Sequence, residues 1–457
     1  MQTSSASRVH FIGAAGIGMR GLVRLCLQNG WRVSGSDNPQ ALYSLSTLRE
    51  MGLEIVSEDQ DLDYFDPEWV VYSTAIAPIH KQRVWAEQKG RLWHRAQFLA
   101  KLFNQANNRI AVTGSHGKTT VSSWLAHILS QVHSASYCVG GVIRSTGLTA
   151  DLGSSDEWVI EADESDGSLK YYDPTCVVIT NIDNDHLNHW KTVDALELFM
   201  LEYAQKSTSS VICQDDARMA AWPIQALRYG FSASSDLKIE SVEFIEKGIE
   251  AVLSYKGDSL GCFNSQLIGR HNVQNLAAVV GVCISLGMSA NEFRAPLASF
   301  EGAGRRLECI GEMEGIKYFD DYAVHPTEVE ATIEALRSML KSQERLRVIF
   351  QPHRTTRLQS LMDDLAKCFH GVDELWLCPL YLAGEEAKEG INSKALSEHF
   401  HKLYPNKIMR IFHTLDEIYV ALEEESLLKK APVTFCSTMG AGNVTEIARK
   451  WVLLRKR

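Results

Sequence analysis

Short apolar segments alternate with longer amphipathic ones along most of the chain. Between residues 8 and 104 the apolar segments are RVHFIG, WRVSGSD, LEIV and WVVYST, and each ends at or just before small or polar residues. Short apolar runs separated by helical patterns are typical of βαβ units, in which helices cover a parallel sheet. The first hundred residues are therefore predicted to form an α/β domain.

The same alternation continues through the rest of the chain. The polar run FNQANNR indicates a linker, and it precedes the strands IAVTG, EWVIEAD, TCVVITN and SVIC, a β-rich stretch near 236–268 and the helix HNVQNLAAVVGVCISLG. After FEGAGRR, the strands IKYFDDY, LRVIFQP, ELWLCP and PVTFCS alternate with the helical runs PTEVEATIEALRSML and TLDEIYVALEEESLLKK. Because 457 residues exceed one ordinary core, we predict three α/β domains, at 1–105, 106–304 and 305–457.

Composition narrows the class of protein. Hydrophobic residues make up 45% of the chain and charged residues 22%, as in water-soluble globular proteins. The net charge of −10 gives no reason to expect nucleic acid or a membrane surface as partner. The N-terminal segment lacks the apolar core of a signal peptide, no stretch approaches a membrane span, and the ten cysteines form no close pairs. We expect a cytoplasmic protein without membrane insertion, a monomer or a weak homodimer.

A glycine-rich turn follows the first predicted strand, in VHFIGAAGIGMRGL. Gly16, Gly18 and Gly21 have the Gly-x-Gly-x-x-Gly spacing of a dinucleotide fingerprint. A helix N-terminus over a glycine turn accepts any diphosphate, so NAD and a UDP-linked ligand both fit. Asp37, at the end of the second strand, would bind a ribose hydroxyl in either case. The turn alone leaves the two ligands open.

A second glycine turn lies in IAVTGSHGKTT. Gly114 and Gly117 let several backbone N–H groups converge on phosphate oxygens. Lys118 would neutralise the outer phosphates, and the Thr119 hydroxyl is placed to ligate Mg²⁺. The strict eight-residue pattern fails because Val112 stands where its first glycine belongs, so a plain capped helix start is the alternative.

Acidic residues and histidines follow the next two predicted strands of this segment. They are Glu161, Asp163, Glu164 and Asp166 in EWVIEADESDG, and Asp183, Asp185, His186 and His189 in VVITNIDNDHLNHW. Ligands of open α/β sheets lie at the carboxyl ends of the strands, where the phosphate loop also lies. Carboxylates and a histidine at that edge are suited to hold Mg²⁺ against a triphosphate.

A basic cluster follows a strand in FQPHRTTR, where it comprises His353, Arg354 and Arg357. A planar guanidinium binds a carboxylate or phosphate through two hydrogen bonds. Cations at a helix start oppose the helix dipole, so this placement indicates an anionic ligand. A solvated helix face is the alternative.

These motifs together resemble those of the Mur ligases, ATP-dependent amide-forming enzymes of peptidoglycan precursor synthesis. The motifs occur in the family's order over most of the chain: TGSHGKTT, EADESDGS, TNIDNDH, GRHNVQNLAA, GAGRRLE, DDYAVHPTEV, FQPHRTTR and GAGNVTEIA. HPTEV with FQPHRTTR is more similar to members that add alanine to UDP-N-acetylmuramate than to members that attach a whole tripeptide. The resemblance implies a Rossmann-like first domain that holds UDP rather than NAD, a central ATP-binding domain of the P-loop ATPase type, and a Rossmann-like C-terminal domain.

The resemblance also implies the reaction. ATP would phosphorylate the lactyl carboxylate of UDP-N-acetylmuramate to an acyl phosphate. The amine of a small amino acid, L-alanine by analogy, would then displace phosphate and leave an amide. Bringing two anions together requires cations and rigid positioning more than covalent chemistry.

Roles for individual residues follow from the same resemblance. The predicted UDP-sugar-binding residues are Gly13, Gly16, Gly18, Met19, Ser36 and Asp37. The predicted ATP-binding residues are Gly114, Ser115, His116, Gly117, Lys118, Thr119, Thr120, His271, Asn275 and Arg306, with Asp320 or Asp321. Thr119, Glu161 and His186 would hold Mg²⁺, and Tyr322, His325 and Arg357 would line the amino-acid pocket. The predicted catalytic residues are Lys118, Glu161, His186, His353, Arg354 and Arg357.

Four positions depart from the family's pattern. Arg20 replaces a serine, Val324 a histidine, and Asn188 and Trp190 an aspartate and a tyrosine. The lost histidine borders the incoming amino acid, so alanine, serine and glycine stay open as substrates.

The alternatives in function are a tripeptide-attaching ligase, a nucleotide- and UDP-sugar-binding protein without activity, and a nicotinamide oxidoreductase.

Overall fold

The computed structural model describes residues 6–185, 187–245, 248–427 and 433–454. The described residues form an α/β protein with three sheets, which confirms the predicted fold class. The chain divides into two compact units, the first made of Met1–Val242, Ala251–Ser265 and Gln274–Glu301, the second of Glu243–Glu250, Gln266–Val273 and Gly302–Arg457. The boundaries expected after residues 105 and 304 stay a prediction.

The first sheet has five parallel strands in the order β3-β2-β1-β4-β5. The strands are β1 (Arg8–Ile12), β2 (Arg32–Ser36), β3 (Glu54–Ile55), β4 (Trp69–Tyr72) and β5 (Leu92–His94). The helices of this segment are α1 (Ile17–Gln28), α2 (Ser46–Glu50), α3 (Lys81–Gln88) and α4 (Arg95–Phe103). Val9, Phe11 and Ile12 on the central strand are fully buried, because strands of a parallel sheet are covered on both faces.

The second sheet has ten strands in the order β15-β14-β13-β12-β11-β10-β6-β9-β7-β8. The strands are β6 (Asn108–Thr113), β7 (Ser136–Ile143), β8 (Leu148–Asp151), β9 (Glu157–Glu161), β10 (Cys176–Ile179), β11 (Ser209–Cys213), β12 (Leu227–Gly230), β13 (Leu237–Ile245), β14 (Gly248–Tyr255) and β15 (Asp258–Ser265). The helices are α5 (Lys118–Val132), α6 (Leu187–Trp190), α7 (Val193–Lys206), α8 (Arg270–Ser285) and α9 (Ala290–Ser299). The β-rich stretch predicted near 236–268 corresponds to β13, β14 and β15.

The third sheet has six strands in the order β16-β17-β21-β18-β19-β20, and only the β16–β17 pair is antiparallel. The strands are β16 (Glu308–Met313), β17 (Ile316–Asp321), β18 (Leu346–Phe350), β19 (Glu374–Leu377), β20 (Ile408–Ile411) and β21 (Phe435–Met439). The helices are α10 (Pro326–Ser338), α11 (Thr355–Cys368), α12 (Ser393–Leu403), α13 (Leu415–Leu427) and α14 (Thr445–Leu454). Apolar clusters on both faces of β18, around Phe350 and around Ile349, form the core of this sheet.

Strand β6 lies between β9 and β10, and all three are parallel. Val112 pairs with Glu161 and Thr113 with Ile179, so the three strands end at the same edge of the sheet. The phosphate loop, the acidic loop after β9 and the loop after β10 therefore meet there, as the sequence predicts. Among the described residues, no helix combines the length and apolar character that crossing a bilayer requires.

Helix α1 packs against the hairpin β7–β8 of the second sheet. A Cβ on Gly21 would lie 3.1 Å from the Cβ of Ala150, closer than an ordinary van der Waals contact, so a small residue at this position lets α1 approach the hairpin closely. The Arg24 guanidinium and the Gln28 amide bind the Asp151 carboxylate, at 2.9 and 2.7 Å. The third glycine of the fingerprint thus serves contact between the first two sheets within the first unit.

We expect Gly21→Leu to destabilise the protein by about 3 kcal/mol, because overpacking forces α1 away from the hairpin. For Gly21→Ala we expect almost no change in the free energy of unfolding. The higher helix propensity of alanine, about 1 kcal/mol, offsets the cost of the close contact with Ala150. Thermal unfolding of both variants beside the unchanged protein measures the difference. Equal melting temperatures for the leucine and alanine variants would contradict the close approach.

Candidate functional site

The first glycine turn has the geometry of an anion site. Gly13 has φ 74°, and its N–H donates to the carbonyl oxygen of Ser36 at 2.9 Å. The Asp37 carboxylate accepts the N–H of Ala15 at 2.8 Å and so fixes the turn. Gly16 is the N-cap residue of α1, and no side chain caps this helix start. The N–H groups of Met19 and Arg20 donate to the carbonyl oxygen of Gly16, while those of Ile17 and Gly18 have no acceptor among the described residues.

Two residues predicted to bind the UDP-sugar, Met19 and Ser36, are buried beneath this turn. The Ser36 hydroxyl donates to Gln82, and the imidazole of His10 contacts Ser34 at 2.8 Å and Gln82 at 3.1 Å. Burial lowers the pKa of His10 to about 4. These side chains support the turn from inside the domain, and the atom of Ser36 that shapes it is the backbone carbonyl.

The phosphate loop approaches its neighbours too closely for any side chain at its two glycines. Gly114 has φ 123°, and a Cβ there would lie 2.2 Å from Oγ1 of Thr180. Gly117 has φ 84°, and a Cβ there would lie 2.7 Å from Oδ1 of Asn275. The structure therefore places Asn275, a predicted ATP-binding residue, directly against the loop.

Hydrogen bonds tie the phosphate loop to the end of β10. Asn181 Oδ1 accepts the N–H of His116 at 2.9 Å, and Ser115 Oγ accepts the N–H of Asp183 at 2.8 Å. The His116 imidazole lies 2.8 Å from the Asp183 carboxylate. The loop is therefore held rigid before any ligand binds. Thr120 follows it as a buried residue of the first turn of α5.

Lys118 lies at the centre of the loop. Its Nζ donates to the carbonyl oxygen of Ser115 at 3.1 Å and to that of Gly114, and lies 2.8 Å from the Glu164 carboxylate. Burial alone would lower the pKa of Lys118, but the Glu164 and Asp163 carboxylates outweigh it and raise that pKa. The lysine is thus a firmly charged ammonium group.

The Glu161 carboxylate is aimed at the same loop. It accepts the Thr119 hydroxyl at 2.9 Å, the Ser122 hydroxyl at 3.3 Å and the N–H of Gly140 at 2.7 Å. A Cβ on Gly140 would lie 2.5 Å from the carboxylate, so glycine makes room for it. Two of the three predicted Mg²⁺ ligands, Thr119 and Glu161, are therefore adjacent. The third, His186, lies outside the described residues.

Helix α6 clamps the acidic loop that carries Glu164. The indole N–H of Trp190 donates to the carbonyl oxygen of Glu164 at 2.9 Å, and the indole packs against Phe199 with ring centroids 4.7 Å apart. His189 lies against Gly167, where a Cβ would be 2.8 Å from its Nε2. Trp190, a departure from the family's pattern, thus supports the loop that pairs with Lys118.

His271 lies in the second unit, near the start of α8 and beside Gly269. Desolvation lowers the pKa of His271 to about 4, so the imidazole is neutral at neutral pH. A neutral imidazole offers a hydrogen bond rather than a charge.

Asp320 and Asp321, at the end of β17, are buried and hydrogen bonded within the second unit. Asp320 accepts the hydroxyl groups of Thr438 and Thr445. Asp321 accepts the N–H groups of Leu307 at 2.6 Å and Ala323 at 2.7 Å. Burial raises the pKa of Asp321 to about 6. Asp321 thus fixes the backbone at Leu307, whereas Asp320 connects β17 to β21 and α14 through the two threonines.

Arginine surrounds Tyr322 at that turn. The guanidinium carbons of Arg305 and Arg306 lie 4.9 and 5.3 Å from the centroid of the Tyr322 ring. Arg305 also donates to the carbonyl oxygens of Gly440 and Gly442. Arg306, the predicted ATP-binding residue, and Tyr322, the predicted pocket residue, are therefore neighbours.

His325 begins helix α10 as its N-cap residue and is buried. The Glu328 carboxylate accepts the N–H groups of Val324 at 3.1 Å and His325 at 3.3 Å, as in a capping box. Val324 is also buried, so the residue that replaces the family's histidine adds an apolar side chain here.

The basic cluster after β18 is also assembled in the second unit. The rings of His353 and Tyr381 stack with centroids 5.8 Å apart, and the N–H of Arg354 donates to the Tyr381 carbonyl oxygen at 2.8 Å. Arg354 has φ 62°, an uncommon backbone conformation for a residue with a side chain. Arg357 follows in the first turn of α11, where Glu385 accepts the N–H of Thr356 at 2.9 Å.

Sequence reasoning missed several residues that contact the site residues: Arg95, Ser122, Gly140, Tyr381 and Glu385. Ser122 lies three residues after Thr119 on α5, so helical spacing could have identified it. The others come from elements far away along the chain, and no local pattern marks them.

The three sheets, with the helices between their strands, and the phosphate loop define an α/β protein of the nucleotide-binding class. The Mur ligase family catalytic domain matches residues 8–107, the Mur ligase middle domain residues 112–283, and the Mur ligase glutamate ligase domain residues 305–432. The chain belongs to the Mur ligase family.

Two curated relatives illustrate the similarity. UDP-N-acetylmuramate–L-alanine ligase of Dictyoglomus turgidum is 34% identical over 454 residues, which cover 97% of this chain and 96% of that protein. The bifunctional enzyme MurC/Ddl of Chlamydia pneumoniae is 37% identical over 400 residues, which cover 86% of this chain and 49% of that protein.

Two solved structures share the fold. UDP-N-acetylmuramate-alanine ligase of Thermotoga maritima has a TM-score of 0.82 at 23% identity, with 98% of this chain and 99% of that chain covered. A murein peptide ligase of Psychrobacter arcticus has a TM-score of 0.69 at 22% identity, with 98% of each chain covered.

We expect the His353 imidazole to stay neutral well below neutral pH. Burial lowers its pKa to about 4, and the charges of Arg357 and Arg354 act in the same direction. The unfolded chain takes up this proton near the ordinary pKa of about 6.5, so this residue's contribution to stability falls as pH drops from about 6.5 to about 4. NMR of the imidazole, assigned with His353→Gln, should show no titration above about pH 5. A midpoint near the ordinary value would contradict the buried placement.

We expect Trp190→Phe to weaken nucleotide binding about fivefold. The variant keeps an aromatic ring but removes the indole N–H that donates to the Glu164 carbonyl oxygen, a loss of about 1 kcal/mol. Calorimetric titration with ATP measures the effect. Trp222→Phe is the matched control, because that indole N–H binds the Glu197 side chain at 3.1 Å instead. Equal losses of ATP affinity in the two variants would show that the hydrogen bond to Glu164 makes no specific contribution to nucleotide binding.

Proposed function

We propose that this chain is an ATP-dependent, ADP-forming ligase that joins L-alanine to the lactyl carboxylate of UDP-N-acetylmuramate. This reaction is the first peptide step of peptidoglycan precursor synthesis. One observation carries the proposal: Lys118, Thr119 and Glu161 converge on a phosphate loop in a chain that is 34% identical to a UDP-N-acetylmuramate–L-alanine ligase over 97% of its length.

A carboxylate does not react with an amine in water at neutral pH, because its oxygen is a poor leaving group. In the proposed reaction a carboxylate oxygen attacks the γ-phosphorus of ATP, and ADP leaves. The amine nitrogen of the amino acid then attacks the carbonyl carbon, inorganic phosphate leaves, and the amine loses a proton. The protein's part is to hold three anionic groups together and to fix their geometry.

The phosphate loop would supply the charge for the first step. Its N–H groups and the ammonium group of Lys118 would bind the β- and γ-phosphates. Thr119 and Glu161 would hold Mg²⁺, with His186 as the third proposed ligand. The carboxylate and hydroxyl oxygens fit this ion, which prefers oxygen ligands and several waters. When bound, Mg²⁺ would neutralise phosphate charge as the transfer proceeds.

The remaining assignments follow the same reaction. The turn of Gly13, Gly16 and Gly18 would bind the diphosphate of the UDP-sugar, with Asp37 at the uridine ribose. His271 and Asn275 would bind the adenosine part of ATP.

In the second unit, Arg306 and Asp320 or Asp321 are assigned to ATP, and Tyr322 and His325 to the amino acid. Arg354 and Arg357, beside the neutral His353, would bind the amino-acid carboxylate or the acyl phosphate, because a guanidinium matches either anion.

Val324 bears on which amino acid the proposed pocket accepts. It replaces the family's histidine at the edge of the proposed amino-acid pocket with a buried apolar side chain. An apolar wall suits the methyl group of alanine better than the hydroxyl of serine. We propose L-alanine first, with serine, glycine and a tripeptide as competitors.

ADP release tests the proposal. The assay contains ATP, Mg²⁺ and UDP-N-acetylmuramate, and L-alanine, L-serine, glycine or tripeptide is added in turn. We expect turnover with L-alanine and a loss of at least about a hundredfold in Lys118→Ala, because the γ-phosphoryl transfer loses its cation. Arg49→Ala, on the exposed face of α2, serves as the unaffected control.

Each other outcome identifies an alternative. Turnover with the tripeptide alone would identify a tripeptide-attaching ligase. Binding of ATP and UDP-N-acetylmuramate without ADP release would indicate a binding protein. Tight binding of NADH in place of UDP would indicate the oxidoreductase alternative.

A further inference from the structure

Helix α11 begins with an arginine at the position where a capping side chain normally stands. Arg354 is the N-cap residue, with φ 62°, and its side chain makes no cap hydrogen bond. The usual N-cap residues are serine, threonine, aspartate and asparagine, whose side-chain oxygen accepts an N–H of the first turn. A cation at this position also opposes the helix dipole. The start of α11 therefore needs an acceptor from elsewhere in the chain.

Glu385 supplies that acceptor from the loop of residues 381–386, which lies between β19 and α12. One carboxylate oxygen accepts the N–H of Thr356 at 2.9 Å, and the other accepts the Thr356 hydroxyl at 2.7 Å. Burial alone would raise the pKa of Glu385, but the hydrogen bonds from Thr356 and the charge of Arg354 outweigh it and lower that pKa. The cap is thus an ionised carboxylate, which the positive end of a helix favours.

A tight turn within this loop places Glu385 against the helix. Ala383 has φ 51° and Gly384 has φ 85°. The N–H of Glu385 donates to the carbonyl oxygen of Leu382 at 3.0 Å. Positive φ values at two successive central residues are typical of a type I′ turn, which reverses the chain. The carboxylate is therefore presented by a turn with a defined backbone geometry.

Further hydrogen bonds fasten the same loop to the backbone on both sides of Arg354. The N–H of Tyr381 donates to the Pro352 carbonyl oxygen at 2.9 Å, and the N–H of Arg354 donates to the Tyr381 carbonyl oxygen at 2.8 Å. After the arginine, the Thr355 hydroxyl donates to the Glu386 carbonyl oxygen at 2.8 Å. A positive φ at a residue with a side chain costs free energy and persists where the surroundings fix it. The loop provides that fixation.

We propose that Glu385 is a positioning residue, which caps α11 from outside and so fixes Arg354 and Arg357 for their anionic ligand. The inference rests on the proposed function, because that function assigns these arginines to the amino-acid carboxylate or the acyl phosphate. Since the cap comes from a distant loop, the N-cap position is free to carry a cation. Glu385 itself contacts no substrate and takes no part in the bond changes.

Steady-state kinetics of ADP release in Glu385→Ala, Glu385→Gln and the unchanged protein test the proposal. We expect Glu385→Ala to lower kcat/KM for L-alanine about tenfold, because small displacements of positioned groups are costly. The affinity for ATP, measured by calorimetry, should not change, because the phosphate loop lies in the first unit. Glu385→Gln should recover most of the activity, because its amide oxygen can accept the N–H and its amide nitrogen can donate to the Thr356 hydroxyl oxygen.

Asn392→Ala is the matched control. Asn392 is the N-cap residue of α12, and its side-chain oxygen accepts the N–H of Ala395 at 3.0 Å. Loss of either cap should lower the melting temperature by a similar amount, since both remove an acceptor from a first turn. Only Glu385→Ala should also lower kcat/KM for L-alanine and speed hydrogen exchange at the Thr356 amide.

The other outcomes overturn the inference. An unchanged kcat/KM for L-alanine in Glu385→Ala, with faster exchange at Thr356, rejects the positioning role and leaves the proposed function standing. Equal losses of kcat/KM in Glu385→Ala and Asn392→Ala would show that Glu385 acts only through stability. An unchanged protein that releases no ADP with any amine rejects the proposed function and this inference with it.

Discussion

The absence of side chains at Gly114 and Gly117 is the steric constraint on which the rest of the phosphate site depends. A Cβ at these positions would lie 2.2 Å from Thr180 and 2.7 Å from Asn275, so the loop can close onto the end of β10 and onto α8 only as glycine. Once closed, it is held by Asn181 and Asp183 and directs Lys118 toward the Glu164 carboxylate. The order of β9, β6 and β10 in one sheet makes this closure possible, because parallel strands end at one edge.

Electrostatics explains how an acidic chain accommodates anionic ligands. The net charge is −10, yet cations are concentrated at three places: Lys118 in the phosphate loop, Arg95 at the start of α1, and Arg354 with Arg357 at the start of α11. At all three the cation stands at a helix N-terminus, where the dipole disfavours it. Each placement is favourable in the presence of a phosphate or carboxylate. In the phosphate loop, the Glu164 carboxylate lies 2.8 Å from the Lys118 ammonium group and stabilises its charge.

The sequence predicted much of the site because its residues are local in the chain. Gly114, Lys118 and Thr119 lie within six residues, and Glu161 ends the strand that pairs with β6. Hydrophobic periodicity was enough to predict the α/β class and the three sheets, because buried parallel strands occur in the sequence as short apolar runs. Neither local motifs nor periodicity could predict that the side chains of Ser36 and Met19 are buried. Both occupy motif positions, but their side chains point into the core, where Ser36 binds Gln82 from a distant helix.

The sequence by itself therefore determined the fold class, the phosphate loop and the family, because each depends on periodicity or on motifs of a few consecutive residues. Only the tertiary structure decided which side chains support those motifs. Trp190 reaches Glu164, Gly140 makes room for Glu161, and Arg95 lies on Gly18 because strand order brings together residues that are 20 to 80 positions apart. Such contacts depend on how the sheet is assembled and leave no local pattern, since a residue that packs against a distant backbone needs only the right shape and charge there.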